Sequence, residues 1–243
     1  MTELLFYKKI VALNKDQHRN YFLKKFDNLD FAAHAQSVLL TGSEYAEACK
    51  EYPIVFVKAP DGGLMSVALL GFRQSENLYV DASGHWDARY IPGYVRRYPF
   101  IISEVSAEQL VVCVDEECAA LNTDGEGERL FDEQGEPSPF VNGMIQFMQE
   151  YQTDFMRTRA FMDHLQQLDL LKESNAKISL DAGGEFLING FWMVDEAKLA
   201  ALDHEKMLEL LTNGELDRIY AHLISLSNFN QFIKLATQKA ATA

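Results

Sequence analysis

One uninterrupted stretch of helical spacing constrains this chain more than any other feature. From Phe140 onward, Met144, Ile145, Met148, Tyr151, Phe155, Met162 and Leu165 recur at helical intervals, and the pattern runs to about Leu171. That spacing predicts one long helix with a single apolar stripe, a period no strand can share.

The residues before it have a different texture. IVFVK (Ile54 to Lys58), the turn Pro60-Asp61-Gly62-Gly63 and LMSVALLGF (Leu64 to Phe72) predict a β-hairpin, because β-branched runs bounded by Pro and Gly favour strands closed by a tight turn. NLYVD (Asn77 to Asp81) predicts a third strand, with Ser83-Gly84 as its turn. FIISEV (Phe100 to Val105) and LVVCVD (Leu110 to Asp115) predict two more. Connections this short imply antiparallel pairing, since a parallel crossover needs roughly a dozen residues or more. Upstream, Ser43 is the expected N-cap of a short helix through EYAEACKEY that Pro53 ends.

Between the two textures lies NTDGEGERLFDEQGEPSP, rich in Gly, Pro and carboxylates, which reads as an exposed loop or a boundary. Beyond the long helix, ISLDAGGEFLINGFWMV (Ile178 to Val194) predicts a second hairpin. Asp195 and Asp203 are expected to cap two helices, Asn213-Gly214 to stop the second, and Glu215 to open another. The tail ATQKAATA is expected to fray. The fold class is therefore α+β: an antiparallel sheet in the N-terminal half with a helical layer from the C-terminal half. Residues 1–136 make the mainly β part and 137–243 the mainly α part with one hairpin, together one compact unit.

Composition narrows function by exclusion. A formal net charge of -14 over 243 residues repels phosphate backbones and anionic lipid, so nucleic acid is not an expected partner. Spanning a membrane takes roughly 20 mostly apolar residues, and the longest charge-free stretch near the C-terminus, Ile219 to Ile233, carries His222, Asn228, Asn230 and Gln231. MTELLFYKKI lacks the plan of a signal peptide, and Cys49, Cys113 and Cys118 make no even framework. The expectation is a cytoplasmic protein with free thiols.

Motifs of known chemistry are scarce. No nucleophile elbow, P-loop, zincin helix or C-x-x-C pair occurs. Asp124, Glu126 and Glu128 begin like a calcium loop, but Arg129 stands where glycine should be and Gly135 where the closing glutamate should be. His85-Trp86-Asp87 is an H-x-D, whose outer residues share one face of an extended chain. With His164, His204 or His222 as a third ligand it would make a two-His-one-carboxylate iron site, and an arginine would hold an oxo-acid co-substrate.

The richest segment runs from Gly84 to Phe100. Trp86, Tyr90, Tyr94, Tyr98 and Phe100 alternate there with Arg89, Arg96 and Arg97 in the most basic part of an acidic chain. Guanidinium forks take carboxylates or phosphates, and aromatic rings offer stacking surfaces. The same residues also suit a core, with the arginines stacked on rings or paired with the acidic loop. Along the long helix, Met144, Met148, Met156 and Met162 read as core or as an oligomer face.

Three stretches resemble the SapC-like family: WDARYIPGYVRRYPF (Trp86 to Phe100), GERLFDEQGEPSPF (Gly127 to Phe140), and FLINGFWMVDEAKLAAL followed by IYAHLISLSN. Their order and the chain length fit as well, so the resemblance covers nearly the whole chain. It implies a bacterial protein tied to a cell-surface or nutrient-uptake system, whose genes often stand beside those of tryptophan-halogenase-like proteins and TonB-dependent receptors. It carries over no catalytic residue and specifies no cofactor. The expected function is a non-catalytic accessory protein that binds a partner protein or peptide. Arg96 and Arg97 would engage carboxylates, with Arg89 beside them, while Trp86, Tyr90 and Tyr94 supply apolar contact. The alternative is a metal-dependent enzyme of the non-haem iron, 2-oxo-acid type, with His85 and Asp87 as ligands.

Overall fold

The computed structural model describes residues 5–26, 28–106, 109–179 and 185–242. In chain order the first half holds β1 (Ile10–Ala12), α1 (Lys15–His18), β2 (Phe22–Leu23), β3 (Ser37–Leu39), α2 (Tyr45–Ala48), β4 (Ile54–Lys58), β5 (Leu64–Leu69), α3 (Gly93–Arg96), β6 (Phe100–Ser106), β7 (Gln109–Asp115), β8 (Leu121–Asn122) and β9 (Glu128–Arg129). The second half holds α4 (Pro139–Gln167), β10 (Leu171–Ser179), β11 (Glu185–Val194), α5 (Glu196–Ala200), α6 (His204–Thr212), α7 (Glu215–Ser225) and α8 (Phe229–Thr242). The fold is α+β, with antiparallel sheets in the N-terminal half and helices in the C-terminal half.

Among the described residues three antiparallel sheets organise it, with strand orders β10-β11-β4-β5-β3, β1-β7-β6 and β8-β2-β9. The β4-β5 hairpin closes where the sequence predicts. The Ala59 N–H donates to the Gly63 carbonyl, and Gly62 takes the positive φ of 90° that the turn requires. Trp192 of β11 stands opposite Phe56 of β4, so the C-terminal hairpin extends the N-terminal sheet and both halves share its core.

The long helix α4 starts on a Ser138 cap that accepts from the Val141 N–H, with Pro139 in its first turn. It ends at Gln167, short of the expected Leu171. Asp169 turns left-handed at φ 55°, and the Leu170 N–H reaches back to the Leu165 carbonyl at 3.0 Å. This closure satisfies the last carbonyls and turns the chain straight into β10. The second hairpin is therefore longer than predicted, with Leu171 paired to Val194. β10 is an edge strand, where polar residues such as Lys172, Glu173 and Asn175 suppress the usual strand signal. The turn of this hairpin, 180–184, lies outside the described residues.

Four other expectations shift. Asn77 to Asp81 is not a strand: Val80 makes one isolated bridge to Trp86, and the Asn77 side chain takes the Tyr79 N–H. Thr41, not Ser43, caps the turn before α2, in a reciprocal box with Glu44. The tail is helical through Thr242, because Phe232 and Ala236 are buried and Lys239 Nζ donates to the carbonyls of Asn77 and Val80 at 2.6 Å each. Met156 is 57% exposed while Met148 and Met162 are buried, so the methionines do not form one face.

Among the described residues two apolar clusters make the interior. The larger joins β3, β4 and β5 to the C-terminal half of α4, β11 and α5 to α8. The smaller lies under β6, β7 and the N-terminal half of α4, and Phe6 and Phe31 pack against both. All three cysteines are free.

Candidate binding cleft

The segment from Gly84 to Phe100 is bolted to the larger core before it reaches the surface. Trp86 is buried and donates its Nε1–H to the Tyr52 hydroxyl at 2.8 Å; that hydroxyl donates in turn to the Tyr90 carbonyl. The Tyr90 hydroxyl donates to Glu44 Oε1 at 2.7 Å, and the Gly93 N–H donates to the same oxygen at 2.6 Å. Glu44 Oε2 accepts from the Thr41 N–H and hydroxyl at 2.8 and 3.0 Å. A buried carboxylate with four donors thus fixes the start of α3, and desolvation together with this charge raises the Tyr90 pKa.

The six residues singled out by sequence take three different environments. Trp86 and Tyr94 are core, so their rings are not offered to a partner. Arg97 is half-buried in a tyrosine cage, 4.1 Å from the Tyr94 ring centre, 5.3 Å from Tyr151 and 5.9 Å from Tyr7, and its Nε is buried without a hydrogen bond among the described residues. Burial raises the pKa of all three tyrosines and the Arg97 charge pulls it back, so Arg97 serves the interior. Arg89 is 94% exposed, 3.9 Å from Glu51. Tyr90 is half-buried and Arg96 exposed.

The H-x-D residues His85 and Asp87 are both exposed, on either side of buried Trp86. None of the three distant histidines joins them. His222 is buried, its Nδ1 2.9 Å from the Ile54 carbonyl and its Nε2 accepting from the Val194 N–H. His164 sits 2.6 Å from Glu215, and His204 opens α6 on the surface. Among the described residues, no group of three or more His, Cys, Asp or Glu could hold a metal ion.

Arg96 stands at the edge of a cleft. Its Nε–H donates to the Ile91 carbonyl at 2.9 Å and its Nη2 to the Tyr90 hydroxyl at 3.3 Å, while the guanidinium lies over the rings of Tyr90 and Phe147. One chamber beside it, of about 400 Å³, is lined by buried Leu23, Tyr98 and Phe100 and by half-buried Phe26, Phe140 and Met144. Lys24, Lys25 and Arg96 supply its cations and, among the described residues, Glu128 its single acid. A second chamber, of about 680 Å³, shares Lys24, Lys25, Phe26 and Tyr98 and adds Phe6, Phe31, the cations Lys8 and, when protonated, His34, and the acids Asp30 and Glu117. Tyr98 separates the two, stacked on Phe31 at 4.3 Å and donating to Asp115 at 3.2 Å; burial holds its hydroxyl protonated. On the other side of Arg96, Glu44, Glu150 and Asp154 help line an acidic hollow of about 290 Å³.

Another wall of the first chamber, Leu23 to Phe26, lies outside the segment singled out by sequence. YFLKKF carries the same interleaving of rings and cations as Gly84 to Phe100, and that was the available signal. Gly127 brings the acidic loop onto this wall. At φ 97°, a Cβ there would lie 2.1 Å from the Leu23 carbonyl oxygen. Gly127→Ala is expected to lower stability by about 2 kcal/mol, read as a fall in the urea midpoint, because strain and the clash must both be relieved by backbone movement.

Fold and cleft together define an α+β protein with an aromatic cleft edged by cations. The chain belongs to the SapC family, whose model, described as SapC, matches residues 13–232. That span includes the whole first chamber; Phe6 and Lys8 of the second precede it. No curated protein and no solved structure matches the chain.

Proposed function

We propose that this protein is a non-catalytic accessory protein that binds a partner protein or peptide across the cleft edged by Arg96, in a bacterial surface or nutrient-uptake system. The observation that carries the reading is the setting of Arg96. It is an exposed cation braced on two rings, at the mouth of an apolar chamber, in a chain with a net charge of -14. Arginine and tyrosine are among the residue types enriched at binding hot spots. Exposed Arg89 and half-buried Tyr90 stand on the same segment, whereas Arg97 supports it from inside.

The test is capture of partners from native lysate by the tagged protein, with Arg96→Glu as the control. Arg96 is exposed but donates to Ile91 and Tyr90 and borders Glu44, Glu150 and Asp154, so its reversal should lower the melting temperature by about 2–4 °C, about 1 kcal/mol, and leave the protein folded. A specific partner retained by the wild type and reduced at least tenfold by Arg96→Glu is the expected result. A partner held equally by both proteins, or no specific partner at all, defeats the reading.

A further inference from the structure

The three cations that line the first chamber differ in their pairing. Lys24 pairs with Glu126 at 2.5 Å. Among the described residues, no carboxylate lies within ion-pair distance of Lys25 or Arg96. Both line the first chamber, with apolar surface from Leu23, Phe100, Phe140 and Met144 between them. Two exposed cations with no ion-pair partner among the described residues, beside an apolar chamber whose described acid is Glu128, present complementarity to an anion carried on an apolar body. At about 400 Å³ the chamber falls within the size range of sites that enclose a large side chain or small ligand.

We propose that the cleft recognises a partner segment in which a carboxylate stands next to a large apolar side chain. The carboxylate meets Arg96 and Lys25, and the side chain fills the chamber over Tyr98 and Phe100. Arginine contributes a planar fork to this contact, because two of its donors are already committed to Ile91 and Tyr90 and the rest are available to a ligand. The inference rests on the partner-binding reading above and adds the chemistry of the segment bound.

The test uses anilinonaphthalene sulfonate, an aromatic anion, as the reporter, and three capped tetrapeptides as competitors. These carry Trp-Glu, Trp-Gln or Ala-Glu at the centre and glycine at both ends. Dye emission is expected to rise on the folded wild type, and Trp-Glu to displace it at a concentration at least tenfold lower than the other two. Lys25→Glu with Arg96→Glu should weaken dye binding at least tenfold. Met144→Trp should do the same by filling the chamber without altering charge, so a folding defect in one variant does not decide the matter. Near-UV circular dichroism confirms the fold of each.

Equal displacement by all three peptides, or dye binding unchanged in both variants, overturns the inference. If a partner is lost from Arg96→Glu while the three peptides compete equally, this inference falls and the partner reading stands. If Trp-Glu is selected and its binding needs Arg96, but the captured partner does not, the cleft chemistry stands and the partner reading falls.

Discussion

Glu44→Ala is expected to destabilise the protein by about 4 kcal/mol, the largest effect of any single substitution considered. Glu44 is 7% exposed and accepts four hydrogen bonds, from the Thr41 N–H and hydroxyl, the Tyr90 hydroxyl and the Gly93 N–H. Removing it strands four donors, each of which costs about 1–3 kcal/mol when buried without a partner, less whatever water repays. Domains hold only about 5–15 kcal/mol in total, so a loss of this size is a large share of the stability. Glu44→Gln keeps the shape but turns an NH2 toward donors, so it should recover less than half of the loss. Urea unfolding of the three proteins measures this directly. A cost below about 1 kcal/mol for Glu44→Ala would mean that the carboxylate does not anchor the segment. Dye binding should weaken in the same variant, because the Tyr90 hydroxyl that bridges Glu44 to Arg96 loses its acceptor.

The second large effect is a loss of stability on acidification, driven by His222. Burial pushes its pKa from 6.5 down to about 4. The neutral ring joins three elements: its Nδ1–H donates to the β4 carbonyl of Ile54, and its Nε2 accepts the β11 N–H of Val194, both from α7. It also stacks on Phe56 at 4.4 Å. Between about pH 6.5 and 4 the unfolded chain binds a proton that the folded chain refuses, so stability falls as pH drops through this window. It is fully present above the window and has nothing further to lose from this group below it. At 1.36 kcal/mol per pH unit, the drop is about 3 kcal/mol. His222→Gln should be less stable at pH 7.5 but should lose about 3 kcal/mol less between pH 7.5 and 4. An unchanged pH slope in the variant would remove His222 from the explanation.

Much of the architecture was legible because it is local. The β4-β5 hairpin follows from a β-branched run beside Pro-Asp-Gly-Gly, and the Asp195 and Asp203 caps from their place before apolar helical runs. What was misread depended on distant partners. The tail looked frayed because nothing near it shows that Lys239 will reach the Asn77 and Val80 carbonyls. β10 was shortened because an edge strand tolerates polar residues that otherwise signal a loop.

The candidate site divides along the same line. Composition, charge and the interleaving of rings with arginines are properties of the chain, and they pointed to Gly84 to Phe100 with no structure in hand. They could not say which arginine faces water, because Arg96 and Arg97 are neighbours with the same intrinsic chemistry. Only tertiary packing separates them. One short helical turn sends Arg97 among Tyr7, Tyr94 and Tyr151, and leaves Arg96 beside walls drawn from Leu23 to Phe26 and from Phe140 to Met144. A hydrogen-bonded turn or an amphipathic period involves residues a few positions apart, so sequence alone determines it; a cleft is made where segments far apart in the chain meet, and only the folded core brings them together.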